Sequence, residues 1–326
     1  MQEKENHFIK NIEIKNFKCF ENFKAEGFGR VNLIGGKNNV GKTAFMEAVW
    51  INVGSEDIKT FSHVLVNIKF MRENINILLN DSVNNNQEFM EKSNKVDVQS
   101  NMNKVYYKID EENGIKNYIF EFKNKNIKVN VNDFSFELES IENIQFIDNF
   151  GLSNSDVVSN YSFIQRKDEE NYLNSLLKIF DSTIQVFKII DEKPQCKVNN
   201  KYLEITEFGD GVRHLISIIT SLYRAENGYL FIDEIDNGIH YTLLDELWKV
   251  ILDVSDRLNV QVFATTHSKE GIESFNRVQL KDLEKNKDTY YFEMAKNIKT
   301  DEIFMSQIDS NQLEYELSHQ GRFRGE

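Results

Sequence analysis

Gly36-Lys37-Asn38-Asn39-Val40-Gly41-Lys42-Thr43 fits the pattern G-x-x-x-x-G-K-[ST] at every fixed position. Its flanks agree with that pattern: Arg30-Val31-Asn32-Leu33-Ile34 is a short apolar strand, and Thr43 to Trp50 reads as a helix, so a glycine turn joins strand to helix. Successive backbone N–H groups at a helix N-terminus form a cradle for an anion, and the helix dipole favours negative charge there. The pattern therefore assigns phosphate contacts to Gly36, Asn38, Asn39, Gly41, Lys42, Thr43 and Ala44. Lys42 reaches the β- and γ-phosphates of ATP, and the Thr43 hydroxyl ligates Mg2+. Asn39 falls where such a loop needs a left-handed backbone, which Asn tolerates best after glycine.

Three further signals lie in the second half of the chain. Leu230-Phe231-Ile232-Asp233-Glu234 is an apolar strand ending in two acids. An Asp at such a strand tip can hold magnesium and the next carboxylate can polarise an attacking water, so Asp233 is assigned to the metal and Glu234 to the water. Phe208-Gly209-Asp210-Gly211-Val212-Arg213 precedes a helical run, Leu215 to Tyr223; its two glycines make a phosphate-facing nest, or else Asp210 simply caps the helix. Val262 to Thr265 is another apolar strand, ending in Thr265-Thr266-His267-Ser268. A histidine at a strand tip beside the phosphate loop can bond a γ-phosphate or orient the water that attacks it, which is the role given to His267.

The chain has 326 residues, room for one large α/β domain with an inserted lobe, and a formal net charge of -13. That charge argues against a surface built wholly for nucleic acid, though a local basic groove remains open. Cys19 and Cys196 form no ligand pair, Met1 to Asn6 is charged, and no apolar run is long enough to span a membrane, so a cytoplasmic protein without membrane partners is expected. Ile9, Ile12, Ile14 and Phe17 interleave with polar residues as in a half-buried strand. Residues 55–140 read as an insertion: polar and helical from Glu56 to Lys95 with a loop tip at Asn84-Asn85-Asn86, then short antiparallel strands from Val96 to Asn149. A helix over Tyr172 to Phe180 and strands over Ile184 to Ile190 and Cys196 to Ile205 follow. Residues 281–326 read as a C-terminal tail, in which Gln312 to Leu317 is a short helix and Arg322-Phe323-Arg324 is either a partner contact or a disordered end.

With these elements in this order, the chain resembles the ABC-type ATPases of the SMC and RecF group, and most closely the OLD-like AAA family ATPases. The resemblance rests on Ile14-Lys15-Asn16-Phe17-Lys18-Cys19-Phe20, on Phe208 to Arg213 and on Phe231-Ile232-Asp233-Glu234-Ile235-Asp236-Asn237-Gly238-Ile239-His240. It implies an α/β fold: a single ABC-type P-loop ATPase head with a mixed sheet, a side antiparallel β-subdomain and the inserted helical and β lobe. It also implies ATP and Mg2+ as cofactors and a head-to-tail dimer or higher oligomer of this chain, in which Gly209, Asp210 and Gly211 complete the ATP site of the opposite copy. Gln145 is assigned as the Q-loop contact to magnesium. Lys18 either approaches the nucleotide or is an exposed lysine.

Two positions depart from the wider pattern: Gly209 stands where a serine is usual, and His240 where many heads place an Asp. Both point to slow turnover. OLD-like proteins commonly act in phage defence or DNA processing with a fused TOPRIM nuclease, but no Asp-x-Asp pair occurs in this chain. The resemblance then implies a separate effector, such as a TOPRIM-type nuclease, regulated by this ATPase. The competing readings are a scaffold that holds ATP with negligible turnover and a DNA-repair ATPase of the RecF type.

Overall fold

The computed structural model describes residues 7–57, 59–61, 63–65, 67–68, 95–112, 115–122, 125–130, 141–282 and 286–319. In chain order the elements are β1 (Asn11–Phe17), β2 (Phe20–Glu26), β3 (Val31–Gly35), α1 (Lys42–Gly54), β4 (Lys95–Ser100), β5 (Lys104–Glu112), β6 (Ile115–Phe122) and β7 (Lys125–Asn130). Then come β8 (Ile144–Ile147), α2 (Asn154–Gln165), α3 (Glu170–Phe180), β9 (Val186–Ile190), β10 (Lys193–Val198), β11 (Lys201–Glu204), α4 (Asp210–Arg224) and β12 (Tyr229–Ile232). The rest are α5 (Leu244–Leu258), β13 (Gln261–Thr265), α6 (Lys269–Lys281), β14 (Thr289–Lys296), β15 (Ile303–Ile308) and α7 (Ser310–Ser318).

The central sheet has the order β15-β14-β3-β13-β12-β8. All but β15 run parallel within it. Its inner strands β3, β12 and β13 are buried at every residue, which is why they read as mainly apolar runs and not as alternation, with Asn32 the buried polar residue inside β3. One face carries α2 to α7, whose apolar stripes close a large cluster around Leu215, Ile219, Leu247, Trp248, Ile251 and Phe275.

The other face carries α1, which is buried from Ala44 to Gly54. A helix apolar all round must be covered all round. Here the second sheet, β2-β1-β4-β5-β6-β7, lies on its far side. Phe45 of α1 sets its ring between Phe23 of that sheet and Phe263 of the central one. In its described part the insertion joins the second sheet. Its strands β4 to β7 extend the sheet begun by β1 and β2, with Ile14 opposite Val98. Asn84 to Asn86 and most of the polar helical stretch lie outside the described residues.

Two expectations change. Ile144–Ile147, grouped above with the antiparallel run, is instead the parallel edge strand β8, paired with β12. Residues 281–326 are no mere tail, because β14 pairs with β3 from Thr289↔Val31 to Glu293↔Gly35 and so flanks the phosphate loop directly. The short helix foreseen over Gln312 to Leu317 is α7, which buries Leu313 and Leu317, while Arg322 to Arg324 lie outside the described residues. The strand foreseen from Cys196 to Ile205 is cut in two by a tight turn at Asn199-Asn200, both left-handed, giving β10 and β11.

Candidate nucleotide-binding site

The loop after β3 is held open by backbone conformations that few residues adopt. Gly36 has φ 138°, and a Cβ there would fall 2.3 Å from the Met294 carbonyl oxygen of β14. Asn39 is left-handed at φ 61°, as its type suggested. Gly41 is the N-cap of α1 at φ 106°, with no side chain capping the helix, so the first N–H groups of α1, from Lys42 to Ala44, stay available to an anion. The Lys42 ammonium donates to the carbonyls of Gly36 at 2.7 Å and Lys37 at 2.9 Å. Burial pulls the Lys42 pKa down, while the carboxylates of Asp233, Glu234, Glu293 and Asp236 oppose that shift. Acceptors better than loop carbonyls, such as phosphate oxygens, suit this charge.

The tips of β12 and β13 meet the start of α1. The Thr43 hydroxyl donates to Asp233 Oδ2 at 2.9 Å, and the Thr265 hydroxyl donates to Asp233 Oδ1 at 2.6 Å. Thr265 Oγ1 also accepts the Glu234 N–H at 3.0 Å, fixing Glu234 in a left-handed conformation at φ 53°. A non-glycine residue in that region needs such support and is a common feature of functional sites. The Glu234 carboxylate lies 3.5 Å from Nδ1 of His267, with both side chains open to solvent. Thr43, Asp233, Glu234 and His267, proposed from separate motifs, thus converge. Thr265, quoted above without a role, is the post that holds two of them. Thr266 does the same for the next acid, donating to Asp236 Oδ1 at 2.8 Å. The adjacent threonines at a strand end were the signal that could have found this.

Gln145 is not brought to the metal side. Its side-chain amide donates to the carbonyls of Ile141 and Ile144, both 3.0 Å away, well before the tip of β8. The residue at that tip is Asp148, where the Asp233 N–H bonds the carbonyl of the preceding Ile147. Burial raises the pKa of Asp148, the Asp233 charge adds to this, and Arg213 counters it. Lys18 is neither exposed nor placed for solvent: its ammonium pairs with the fully buried Glu47 of α1. From β14 comes Glu293, whose carboxylate accepts the Tyr291 hydroxyl and whose pKa is raised by burial.

The second glycine nest opens α4. Gly209, not Asp210, is the N-cap, and no side chain caps it; Asp210 is the first helical residue and is exposed. A Cβ on Gly211 would lie 2.4 Å from the Gly238 carbonyl, so this helix start packs on the loop that follows Asp233-Glu234. That same loop donates from Asn237 Nδ2 to the Asn149 carbonyl beyond β8. His214, one residue past Arg213, is buried and its pKa is lowered to about 4 by desolvation, which keeps it neutral.

The donor set suits a magnesium nucleotide. A hydroxyl and a carboxylate in contact at an anion cradle are the minimal protein share of an Mg2+ site whose other ligands come from phosphate and water. Among the described residues there is no cluster of three or more His, Cys, Asp or Glu able to cage a metal unaided. No helix there is long and apolar enough to cross a membrane.

The fold is that of an SMC-like, ABC-type head. A family model for the AAA ATPase domain matches residues 153–272. The chain is similar to an "ATP/GTP phosphatase" of Helicobacter pylori, 24% identical over 334 residues that span 83% of this chain and 88% of that one. A stretch of 60 residues, 18% of the chain, is 35% identical to 5% of the Structural maintenance of chromosomes protein 6 of Saccharomyces cerevisiae. Among solved structures, an SMC head bound to the C-terminal winged-helix domain of ScpA superposes with a TM-score of 0.52 at 11% identity, covering 93% of this chain and 98% of that one.

Proposed function

We propose that this chain hydrolyses ATP with Mg2+ and that ATP-loaded copies pair head to tail, so that dimerisation is the signal passed to a separate effector. The observation that carries the reading is the contact of Glu234 with His267 beside the Thr43–Asp233 bond. Lys42 and the loop N–H groups hold the triphosphate, Thr43 and Asp233 hold the metal, Glu234 polarises the attacking water and His267 orients it. Gly209, Asp210 and Gly211 offer the uncapped start of α4 to the γ-phosphate on the opposite copy. The phosphatase name of the Helicobacter relative supports hydrolysis, and the ScpA complex of the SMC head supports a protein partner for heads of this fold. The OLD-like resemblance makes the effector a nuclease of the TOPRIM kind and the setting defence against phages.

Glu234→Gln tests the reading. It should abolish phosphate release, leave ATP binding intact and accumulate the dimer on size exclusion. A wild type that releases no phosphate above background would instead make the chain a scaffold that holds ATP as structural glue, a reading favoured by Gly209, which brings no hydroxyl to the phosphate. Copurification of a nuclease at endogenous levels supports the effector role; a purified chain that itself cleaves DNA with added metal sinks it. Strong, salt-sensitive binding to duplex DNA would favour the RecF-type reading, which the acidic charge disfavours.

A further inference from the structure

A cavity of about 550 Å³ lies between α1, β8, α2 and α4, lined among others by Trp50, Gln145, Asn160, Arg213 and Arg224. Gln145, whose amide is spent on the carbonyls of Ile141 and Ile144, borders this space and not the metal side. Arg224 is only 5% exposed, yet its acceptors are neutral. Its Nε donates to the Ile141 carbonyl at 3.3 Å, and its Nη1 to Ser159 Oγ at 2.7 Å and Asn160 Oδ1 at 2.9 Å. One face of the guanidinium covers the Phe163 ring, 5.4 Å from its centroid. Among the described residues no carboxylate pairs with Arg224, and its Nη2 has no hydrogen-bond partner. Burial pulls its pKa down, and Glu142 and Asp156 oppose this without forming an ion pair. A guanidinium held by neutral acceptors alone keeps much of its desolvation cost, which an incoming anion would offset.

The unmet groups of the cavity are donors. Trp50, 4% exposed, has a buried indole N–H with no partner among the described residues, and so has Arg213 at Nε. Arg213 Nη2 reaches only the Leu152 carbonyl, at 3.3 Å. The two acids that also line the cavity are already engaged: Asp148 Oδ1 accepts the Phe150 N–H at 2.9 Å, and Asp156 Oδ2 accepts the Ser153 hydroxyl at 2.5 Å. What enters must therefore bring acceptors, and a carboxylate fits the planar fork of a guanidinium. The apolar side of the cavity is the Trp50 and Phe146 rings, stacked with centroids 4.7 Å apart, which suits a flat ring. We propose that this cavity is a second ligand site, apart from the phosphate loop, that takes a small aromatic carboxylate. Arg224 is its charge partner, the open N–H groups of Arg213 and Trp50 are further donors, and the Trp50–Phe146 pair is the wall for its ring. The site stands whether or not the phosphate loop holds ATP.

Benzoate is the probe, and benzamide, the same ring with a neutral amide in place of the carboxylate, is its control. Saturation-transfer NMR titrations of the full chain read both affinities. Benzoate should bind with a Kd in the millimolar range, as suits a fragment, and benzamide at least about tenfold more weakly. Trp50→Phe keeps a ring and removes the N–H, and should weaken benzoate by about threefold to tenfold. Arg224→Met should abolish benzoate binding; since that side chain also ties α4 to α2, Trp50→Phe decides where this variant does not fold. Lys42→Ala, which removes the cation of the phosphate loop, should leave the benzoate affinity within about twofold of wild type. The proposal is overturned by no benzoate binding up to about 20 mM. Equal binding of benzamide, an affinity untouched by Trp50→Phe, or a loss of benzoate binding in Lys42→Ala overturns it as well.

Discussion

Two helices of this protein begin at a glycine with no side chain capping the start, yet the glycines answer different needs. Gly41 at the start of α1 has φ 106°, and its missing Cβ makes room for Cys19, Phe20 and Ile303. Gly209 at the start of α4 has φ -63° and ψ 158°, open to any residue, and nothing lies within 4 Å of where its Cβ would be. The α1 start is closed in by its own chain on three sides. The α4 cap is exposed, and among the described residues no contact asks for glycine there. Four N–H groups at a helix end seek acceptors, and a cap without a side chain leaves that need to something outside the helix. The α1 start is thus shaped from within, whereas the α4 cap is left open by its surroundings among the described residues.

The sharpest way to break this comparison is to add the same methyl group at both caps. Gly41→Ala should cost about 2–4 kcal/mol of stability, from left-handed strain and from the crowding against Cys19, and should weaken ATP binding as the loop shifts. Gly209→Ala should stay within about 0.5 kcal/mol of wild type. Chemical denaturation of the two variants measures the difference; equal losses would mean that the starts of α1 and α4 are constrained alike.

A smaller effect is expected at Gly211, two residues into the open nest. Its missing Cβ faces the Gly238 carbonyl at 2.4 Å, and backbone cannot swing aside as a side-chain tip can. Gly211→Ala should cost about 1–3 kcal/mol and push the loop after Glu234 away from α4. Phosphate release should fall while ATP binding by the isolated head is kept, because Lys42 and Thr43 are untouched. If release is unaffected, the link between α4 and the Asp233–His240 loop carries no functional coupling.

What the sequence made legible follows the same division between internal and external needs. The phosphate loop, Asp233-Glu234 and His267 were readable because each is a local pattern with fixed spacing and a fixed place at the end of an apolar run. Their convergence through Thr43, Thr265 and Asp233 was not readable, since it depends on β3, β13 and β12 lying side by side. Strand β2 escaped notice because its buried residues Phe20, Phe23 and Ala25 are spaced by three and then two, which breaks the alternation a strand displays. Strand β14 was hidden in an apparent tail because its partner β3 lies at the other end of the chain, and no local periodicity announces a parallel neighbour. Gln145 was chosen by analogy of type; the chain spends that amide on its own carbonyls and puts Asp148 at the strand tip instead.

The smallest expected change is the most informative about what lies outside the molecule. Because the Gly209 cap has extended geometry and free space, a serine fits there without strain, and serine is a better N-cap than glycine. Gly209→Ser should leave stability within about 0.5 kcal/mol of wild type. Among the described residues of one copy, the new hydroxyl has only the α4 N–H groups to bond. If ATP on a second copy faces this cap, the hydroxyl gains a phosphate partner, so ATP-dependent dimers should tighten and phosphate release should rise by about threefold to tenfold. That gain should depend on protein concentration, since it exists only in the pair, and it should vanish with Glu234→Gln. A rate that stays unchanged at every concentration would mean that the α4 start never meets nucleotide, leaving its open glycine without a role in the ATP cycle.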